Sequence, residues 1–394
     1  MKKKIKEAVI SNVVLLGLVS LFTDMSTEMV YPLIPLFLTA SLGATPAIVG
    51  VIEGIAESIA SLLKVASGYL GDRYHHKKRL AFLGYSASVI YKIVLSFAGS
   101  WGGVLTARII DRTGKGIRTA PRDALVAQSS KKGKLGSSYG LHKMLDMAGS
   151  SIGAFLAFVI IAAGIQYRTA FLWSMIPGII GVMIILLIRE GKSTTEVQNR
   201  MPLRGLKRNR KLELYFAVIF LFCLGNSSNT FLLLKAKSRG FSSAQVMLLY
   251  LIFNVSASIF AIPSGRLSDR FGRSSILVPG YLIYGLVYLG FALLTSKASI
   301  IILFIAYGAY TAFISGAERA LVAESSPEGY KGTVLGVYGM IQGIGLLLSS
   351  IIAGVMWDRI GSNAPFWFGG ILGIVSAVLI FCILRSGSHK SVEA

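Results

Sequence analysis

Asp24 and Glu28 stand one helical turn apart in the first long apolar segment, with Tyr31 on the same face. An ionisable side chain at the centre of a membrane-spanning helix costs about 2.5–3.5 kcal/mol, so each one calls for a partner, a watery cavity or a function. The fourth segment is far richer. It carries Arg108, Asp111, Arg112, Lys115 and Arg118, with Arg122 and Asp123 towards its inner end. At about 100° per residue, Arg108, Asp111, Arg112, Lys115, Thr119 and Arg122 fall on one stripe. If the charged residues of this segment faced lipid, the penalty would exceed about 10 kcal/mol, so they must face protein or water. Asp111 can pair with Arg108 three residues before it or with Lys115 four residues after it. Positive charge is still left over, to be answered by acids on other segments. The candidates are Asp24 and Glu28, then Glu53 and Glu57, which share a face of the second segment with Lys64. In the fifth segment, His142 and Asp146 lie one turn apart with Lys143 to the side. The expected arrangement is a polar cluster in which Asp24 or Glu28 faces Arg112. A carboxylate in such a place exchanges a proton whenever motion changes its burial or its distance from a guanidinium, which is the physics of proton coupling. A static ion-pair network that locks helix register is the competing reading.

The elements that must position these groups follow from composition. Of 394 residues, 54% are hydrophobic and 15% charged, and the mean hydropathy is +0.66. The apolar residues fall into about twelve runs, from 11–39 to 364–385, of the roughly 20 residues that a helix needs to cross a bilayer. The first run holds Asp24 and Glu28 and no small-residue cleavage site, so it reads as a span and not as a cleaved signal. The net charge of +22 has a topological pattern. Lys and Arg gather in connections 72–79, 129–134, 189–211, 269–275 and 327–331 and in the C-terminal tail. The opposite connections, such as Thr39–Pro46 and Gly99–Gly103, hold few; Lys235, Lys237 and Arg239 are the main exception. The positive-inside rule then places both termini in the cytoplasm of a cell (plasma or inner) membrane. The partner implied by the charge is the lipid bilayer, not nucleic acid. Cys223 and Cys382 sit in different apolar runs without metal-ligand spacing. No metal, cofactor or P-loop is indicated, and the chain does not read as an enzyme.

A motif occurs twice. Gly68-Tyr-Leu-Gly-Asp72-Arg73-Tyr-His-His-Lys77 is answered 197 positions later by Gly265-Arg-Leu-Ser-Asp269-Arg270-Phe-Gly-Arg273. Ala124 to Ser130 likewise matches Ala320 to Ser326, Tyr139-Gly140 matches Tyr338-Gly339, and Ser150-Ser-Ile152 matches Ser349-Ser-Ile351, all at offsets of 196–199. A period of half the chain within hydrophobic segments implies two related halves. The expected organisation is an N-terminal six-helix bundle over 1–188, a basic cytoplasmic linker over 189–212 and a C-terminal six-helix bundle over 213–394. The second half is poorer in charge. Asn226-Ser-Ser-Asn229 stands roughly where the first half has Asp24 to Glu28, offering amides and hydroxyls to a substrate or to neighbouring helices. Tyr250, Phe253, Tyr284, Tyr307 and Tyr310 line a substrate pocket or simply pack, and Glu318 and Arg319, being adjacent, pair elsewhere.

On these motifs the chain resembles the major facilitator superfamily over essentially its full length. Gly265 to Arg273 fits the superfamily's G-x-L-a-D-r-x-G-r-k loop closely, and Gly68 to Lys77 fits except for His75. Arg112-Thr-Gly-Lys-Gly116 approximates its R-x-x-q-G, and Gly149-Ser-Ser-Ile-Gly153 is half of the efflux signature G-P-x-x-G-G, without the proline. The resemblance implies an all-α membrane protein of twelve transmembrane helices in two pseudo-symmetric bundles, working by alternating access. It also implies a cytoplasmic gate built from Gly68, Asp72, Arg73, Lys77, Arg118, Arg122, Asp123, Gly265, Asp269, Arg270 and Arg273. The coupling and substrate cavity would comprise Asp24, Glu28, Tyr31, Glu53, Glu57, Arg108, Asp111, Arg112, Lys115, His142, Asp146, Asn226 and Asn229. The expected protein is a monomeric secondary transporter that exports a small organic solute in exchange for protons. The alternative is uptake or uniport of an anionic metabolite drawn by the arginine-rich fourth segment.

Overall fold

The computed structural model describes residues 2–73, 77–130, 135–188, 210–271, 273–326 and 331–388. Helices follow one another as α1 (Lys2–Glu28), α2 (Ile34–Ala40), α3 (Pro46–Arg73), α4 (Lys77–Phe97), α5 (Trp101–Ser129), α6 (Leu135–Ala162), α7 (Tyr167–Trp173) and α8 (Met175–Leu187). They continue as α9 (Arg210–Gly225), α10 (Thr230–Ser238), α11 (Ser243–Phe271), α12 (Arg273–Leu293), α13 (Lys297–Glu324), α14 (Lys331–Arg359) and α15 (Ala364–Ser388). Among the described residues there is no strand. A lipid-facing backbone must satisfy its own hydrogen bonds, and helices do so within the segment. Eleven stretches of the described residues are long and apolar enough to cross a membrane. The twelfth pass is α5, 29 residues long, which hydropathy misses because of its charges. The expected linker falls mostly at 189–209, outside the described residues.

Three passes are broken, each at a place the sequence explains. Between α1 and α2 the chain turns at Met29–Val30 and enters a 3-10 turn over Tyr31–Leu33. Pro32 and Pro35 lack the amide hydrogens that an uninterrupted helix would use. Between α9 and α10 the run Asn226–Asn229 leaves the helix. The backbone groups freed there find side-chain partners. Tyr284 Oη donates to the Gly225 carbonyl at 2.7 Å, Ser349 Oγ to that of Asn226 at 3.1 Å, and the Ser228 amide donates to Ser350 Oγ at 3.3 Å. Between α7 and α8, Ser26 Oγ donates to the freed carbonyl of Ser174.

The chain forms two compact units. The first comprises Met1–Ala44, Ile55–Gln198 and Ser243–Leu251; the second comprises Thr45–Gly54, Asn199–Ser242 and Ile252–Ala394. In the first, α1 packs on α6 and α8, and α4 on α5, α7 and α8. The approach of α6 to α1 depends on Gly149 and Gly153. A Cβ on Gly149 would collide with the Leu21 carbonyl, and one on Gly153 with that of Met25. This contact brings Asp146 beside the α1 acids. Lys78 Nζ caps the end of α8, donating to the carbonyls of Leu186 and Ile188 at 2.7 Å each. In the second unit, α12 packs on α13 and α15, and α9 on α14 and α15.

Candidate functional site

The first unit encloses a cavity of about 390 Å³ lined by Asp24, Glu28, Glu57, Ala60, Ser61, Lys115, Arg118, Thr119, Arg122, Asp146 and Ser150. Helix α5 supplies its basic side. Ser100 begins that helix by accepting from the Gly103 amide at 3.4 Å, and Arg108, Asp111, Arg112 and Arg118 are all buried along it. The charge stripe expected from sequence therefore divides. Its outer members are buried in protein, whereas Lys115, Thr119 and Arg122 reach the cavity.

Arg112 Nη2 meets Glu57 Oε1 at 2.7 Å, and its Nε lies 3.7 Å from Asp111 Oδ2. Arg108 reaches Asp111 at 3.4 Å and Glu57 at 3.9 Å. The acid facing Arg112 is thus Glu57 on α3, where the spacing had suggested Asp24 or Glu28. Glu28 is engaged elsewhere. Tyr250 Oη, at the start of α11, donates to Glu28 Oε2 at 2.6 Å. Asp24 of α1 and Asp146 of α6 both stand on the wall of the cavity. Asp146 accepts from Ser20 Oγ at 3.2 Å and from Lys143 Nζ at 2.9 Å. Tyr31 lies under both guanidiniums, with Arg108 and Arg112 at 5.5 and 5.9 Å from its ring centre. Its ring also meets that of Tyr250 at 5.9 Å.

Around Asp111 the network continues through Ser88 of α4. Ser88 Oγ donates to Asp111 Oδ1 at 3.4 Å and accepts from Arg118, whose guanidinium covers the Tyr85 ring at 4.6 Å. Lys92, fully buried on the same helix, donates to the Ser88 carbonyl. Ser88 and Lys92 were missed by the sequence reading. Lys92 could have been found by the rule that flagged the other intramembrane charges; Ser88 carries no such mark. Lys115 is the contrast, because its side chain is exposed to the cavity and its ammonium makes no hydrogen bond or ion pair among the described residues, while its carbonyl accepts from Thr119 Oγ1 at 2.6 Å.

The remaining candidates are scattered. Glu53 is buried in the stretch of α3 that belongs to the second unit, so one turn of α3 separates it from the cavity-lining Glu57. His142 is buried without a hydrogen bond to Nε2 among the described residues, and it does not line the cavity. Asp123 is held by its neighbour, Arg122 donating from Nη2 at 2.9 Å and from Nε at 3.0 Å. The surroundings of Gly68, Asp72, Arg73, Gly265, Asp269 and Arg273 lie outside the described side chains. Lys77 is buried and Arg270 exposed. In the second unit, Asn226 Nδ2 donates to Tyr310 Oη at 3.1 Å, and Asn229 Oδ1 accepts from Tyr307 Oη at 2.8 Å. Tyr284, Tyr288, Tyr307 and Tyr310 pack on one another as tilted rings, with centroids 4.2–5.2 Å apart. Those rings lie around the α9–α10 break, where Tyr284, Tyr307 and Tyr310 bond to Gly225, Asn229 and Asn226. No group of three or more His, Cys, Asp or Glu side chains among the described residues could hold a metal ion.

Twelve helical passes, broken spans and a charged intramembrane cavity define a polytopic secondary transporter. The Major Facilitator Superfamily model matches residues 16–236 and 214–393, and the chain belongs to that family. An uncharacterized MFS-type transporter of Methanocaldococcus jannaschii is 34% identical over 381 residues, 94% of each protein. The fosmidomycin resistance protein of Escherichia coli is 26% identical over 397 residues, covering 95% of this chain and 94% of its own. Among solved structures, a POT family transporter bound to a thioalcohol-conjugated peptide superposes with a TM-score of 0.81 at 13% identity. That match covers 95% of this chain and 96% of the other. A nucleoside transporter superposes at 0.79 with 14% identity, covering 95% and 99%. At such identities the two structures speak to the fold alone.

Proposed function

We propose that the protein exports a small organic molecule from the cytoplasm in exchange for protons. The observation that carries this reading is that Asp24 of α1 and Asp146 of α6 both line the cavity. A carboxylate there binds or releases a proton as α1 and α6 move or as a solute enters, so the wall that meets the solute also holds the coupling ion. The name of the Escherichia coli relative agrees with export and makes fosmidomycin the first compound to test. The moving bodies of the cycle are the halves 1–188 and 213–394, and the duplicated loops with Arg118, Arg122 and Asp123 form the gate on the cytoplasmic side. The protein works as a monomer in the cell membrane with both termini inside.

The test is transport in liposomes. With the purified protein and an imposed pH gradient, fosmidomycin and a panel of small organic compounds should drive proton flux reported by an internal dye. Asp24→Asn and Asp146→Asn should each abolish it. Substrate-driven proton flux that survives in both variants ends the coupling proposal. A second reading, uptake or uniport of an anionic metabolite, is favoured by Lys115, the one lining cation without a partner among the described residues. It predicts substrate movement that continues after the pH gradient is collapsed and that fails in Lys115→Met.

A further inference from the structure

Glu318 lies in the second unit on α13, 2% exposed, and is not one of the residues that line the cavity described above. Tyr281 of α12 donates to its Oε1 at 2.7 Å. On Oε2, Tyr338 of α14 donates at 2.8 Å and Gln342 of α14 at 3.3 Å. Gln342 Nε2 also donates to Tyr338 Oη at 2.6 Å, which closes the network. The donors are all neutral. The titratable groups nearest to Glu318 are Tyr281 on α12, Tyr338 on α14, Cys223 on α9 and Tyr310 on α13 itself. Arg319 is exposed, and no cation pairs with Glu318 among the described residues. This differs from the first unit, where Glu57, Asp111 and Asp123 each face a guanidinium.

A buried carboxylate without a counter-ion is tolerated only while donors satisfy both oxygens. Here two of the three donors arrive on one helix, α14. That helix meets α9 through Gly345, whose missing side chain leaves room for Cys223. The balance between ionised and protonated Glu318 is therefore set by where α14 sits against α13.

We propose that Glu318 is a second proton-binding site, exchanging its proton with the aqueous phase as α14 shifts. The site is separate from Asp24 and Asp146 and does not depend on their role. Infrared difference spectroscopy of the full-length protein in liposomes, taken between acid and alkaline buffer, tests it without a substrate. One protonated-carboxyl C=O band should disappear in Glu318→Gln and persist in Asp24→Asn and Asp146→Asn. Tyr338→Phe, which keeps the carboxyl and removes one donor, should shift the frequency of that band. A Glu318→Gln spectrum that still contains every wild-type band overturns the proposal, as does a band lost instead in Asp24→Asn. An unshifted band in Tyr338→Phe also overturns it, and this arm holds even if Glu318→Gln fails to fold.

Discussion

Glu57 is where the buried charge of the first unit is balanced. Its side chain is 24% exposed, while those of Arg108 and Arg112 are at 1% and 3%. Removing the acid leaves two buried guanidiniums sharing the single carboxylate of Asp111, and breaking a buried pair in this way costs about 3–5 kcal/mol. Glu57→Ala should therefore lower thermal stability in detergent by an amount at the lower end of that range, since the cavity admits some water. The double variant Glu57→Met, Arg112→Met, which keeps the Arg108–Asp111 pair, should recover much of the loss. Lys143 supplies the control. Its bond to Asp146 is similar in length, but the lysine side chain is 67% exposed, and exposed pairs contribute about 0–1 kcal/mol. Lys143→Ala should leave the melting curve nearly unchanged. An equal loss in Glu57→Ala and Lys143→Ala would show that burial does not rank these pairs. The identities of the charged groups were legible in the sequence, because any titratable side chain in an apolar run demands an explanation. Their pairing was not. Asp24, Glu28 and Glu57 are equivalent by residue type and depth, and which of them meets Arg112 is decided by helix packing that spacing along one chain does not encode.

Helix α5 shows the same limit in another form. Its length and its place between apolar neighbours mark it as a span, while its charges hide it from any hydropathy threshold. Repeat and periodicity recover it because they do not depend on mean hydropathy. The breaks at Met29–Val30 and Asn226–Asn229 were half legible. Proline signals the first, but the second depends on Tyr284, Ser349 and Ser350 arriving from other helices to take up freed backbone groups. The α1–α6 contact gives a sharp test of element packing. A methyl group at Gly149 would have to displace the Leu21 backbone, whereas Gly140, on the same helix, has nothing within 4 Å of an added Cβ. Overpacking of this kind costs about 1–3 kcal/mol, while Gly to Ala at an open helical site gains about 0.5–1 kcal/mol. Gly149→Ala should destabilise the protein and Gly140→Ala should stabilise it slightly, both read from unfolding in detergent. The opposite ranking would mean that the two helices are not held at this separation.

For the whole molecule, the duplicated half accounts for the architecture, and the proposed orientation rests on the charge. Two related six-span halves give an even number of crossings, so both ends of the chain emerge on one side. With a net charge of +22, the basic residues crowd into the connections on one side, which on the positive-inside rule supports the proposal that this side is cytoplasmic. The outer cluster Lys235, Lys237 and Arg239 opposes this assignment, yet the structure accounts for much of it. Lys235 is buried, its Nζ donating to the Ser362 carbonyl at 3.1 Å and also to Asn363, while Arg239 donates to Asn363 at 3.2 Å. A lysine sequestered by a loop is a structural fastening, and its cost of crossing is offset once by folding. A green fluorescent protein fused after Ala394 should therefore fluoresce in intact bacterial cells, and alkaline phosphatase fused there should be inactive. Inserted at Gly361, in the turn between α14 and α15, the two reporters should give the reverse result. Neutralising Lys235, Lys237 and Arg239 together should leave both readings unchanged. A fluorescent insertion at Gly361 paired with active phosphatase after Ala394 would invert the protein, and the gate proposed for the duplicated loops would then face the outside.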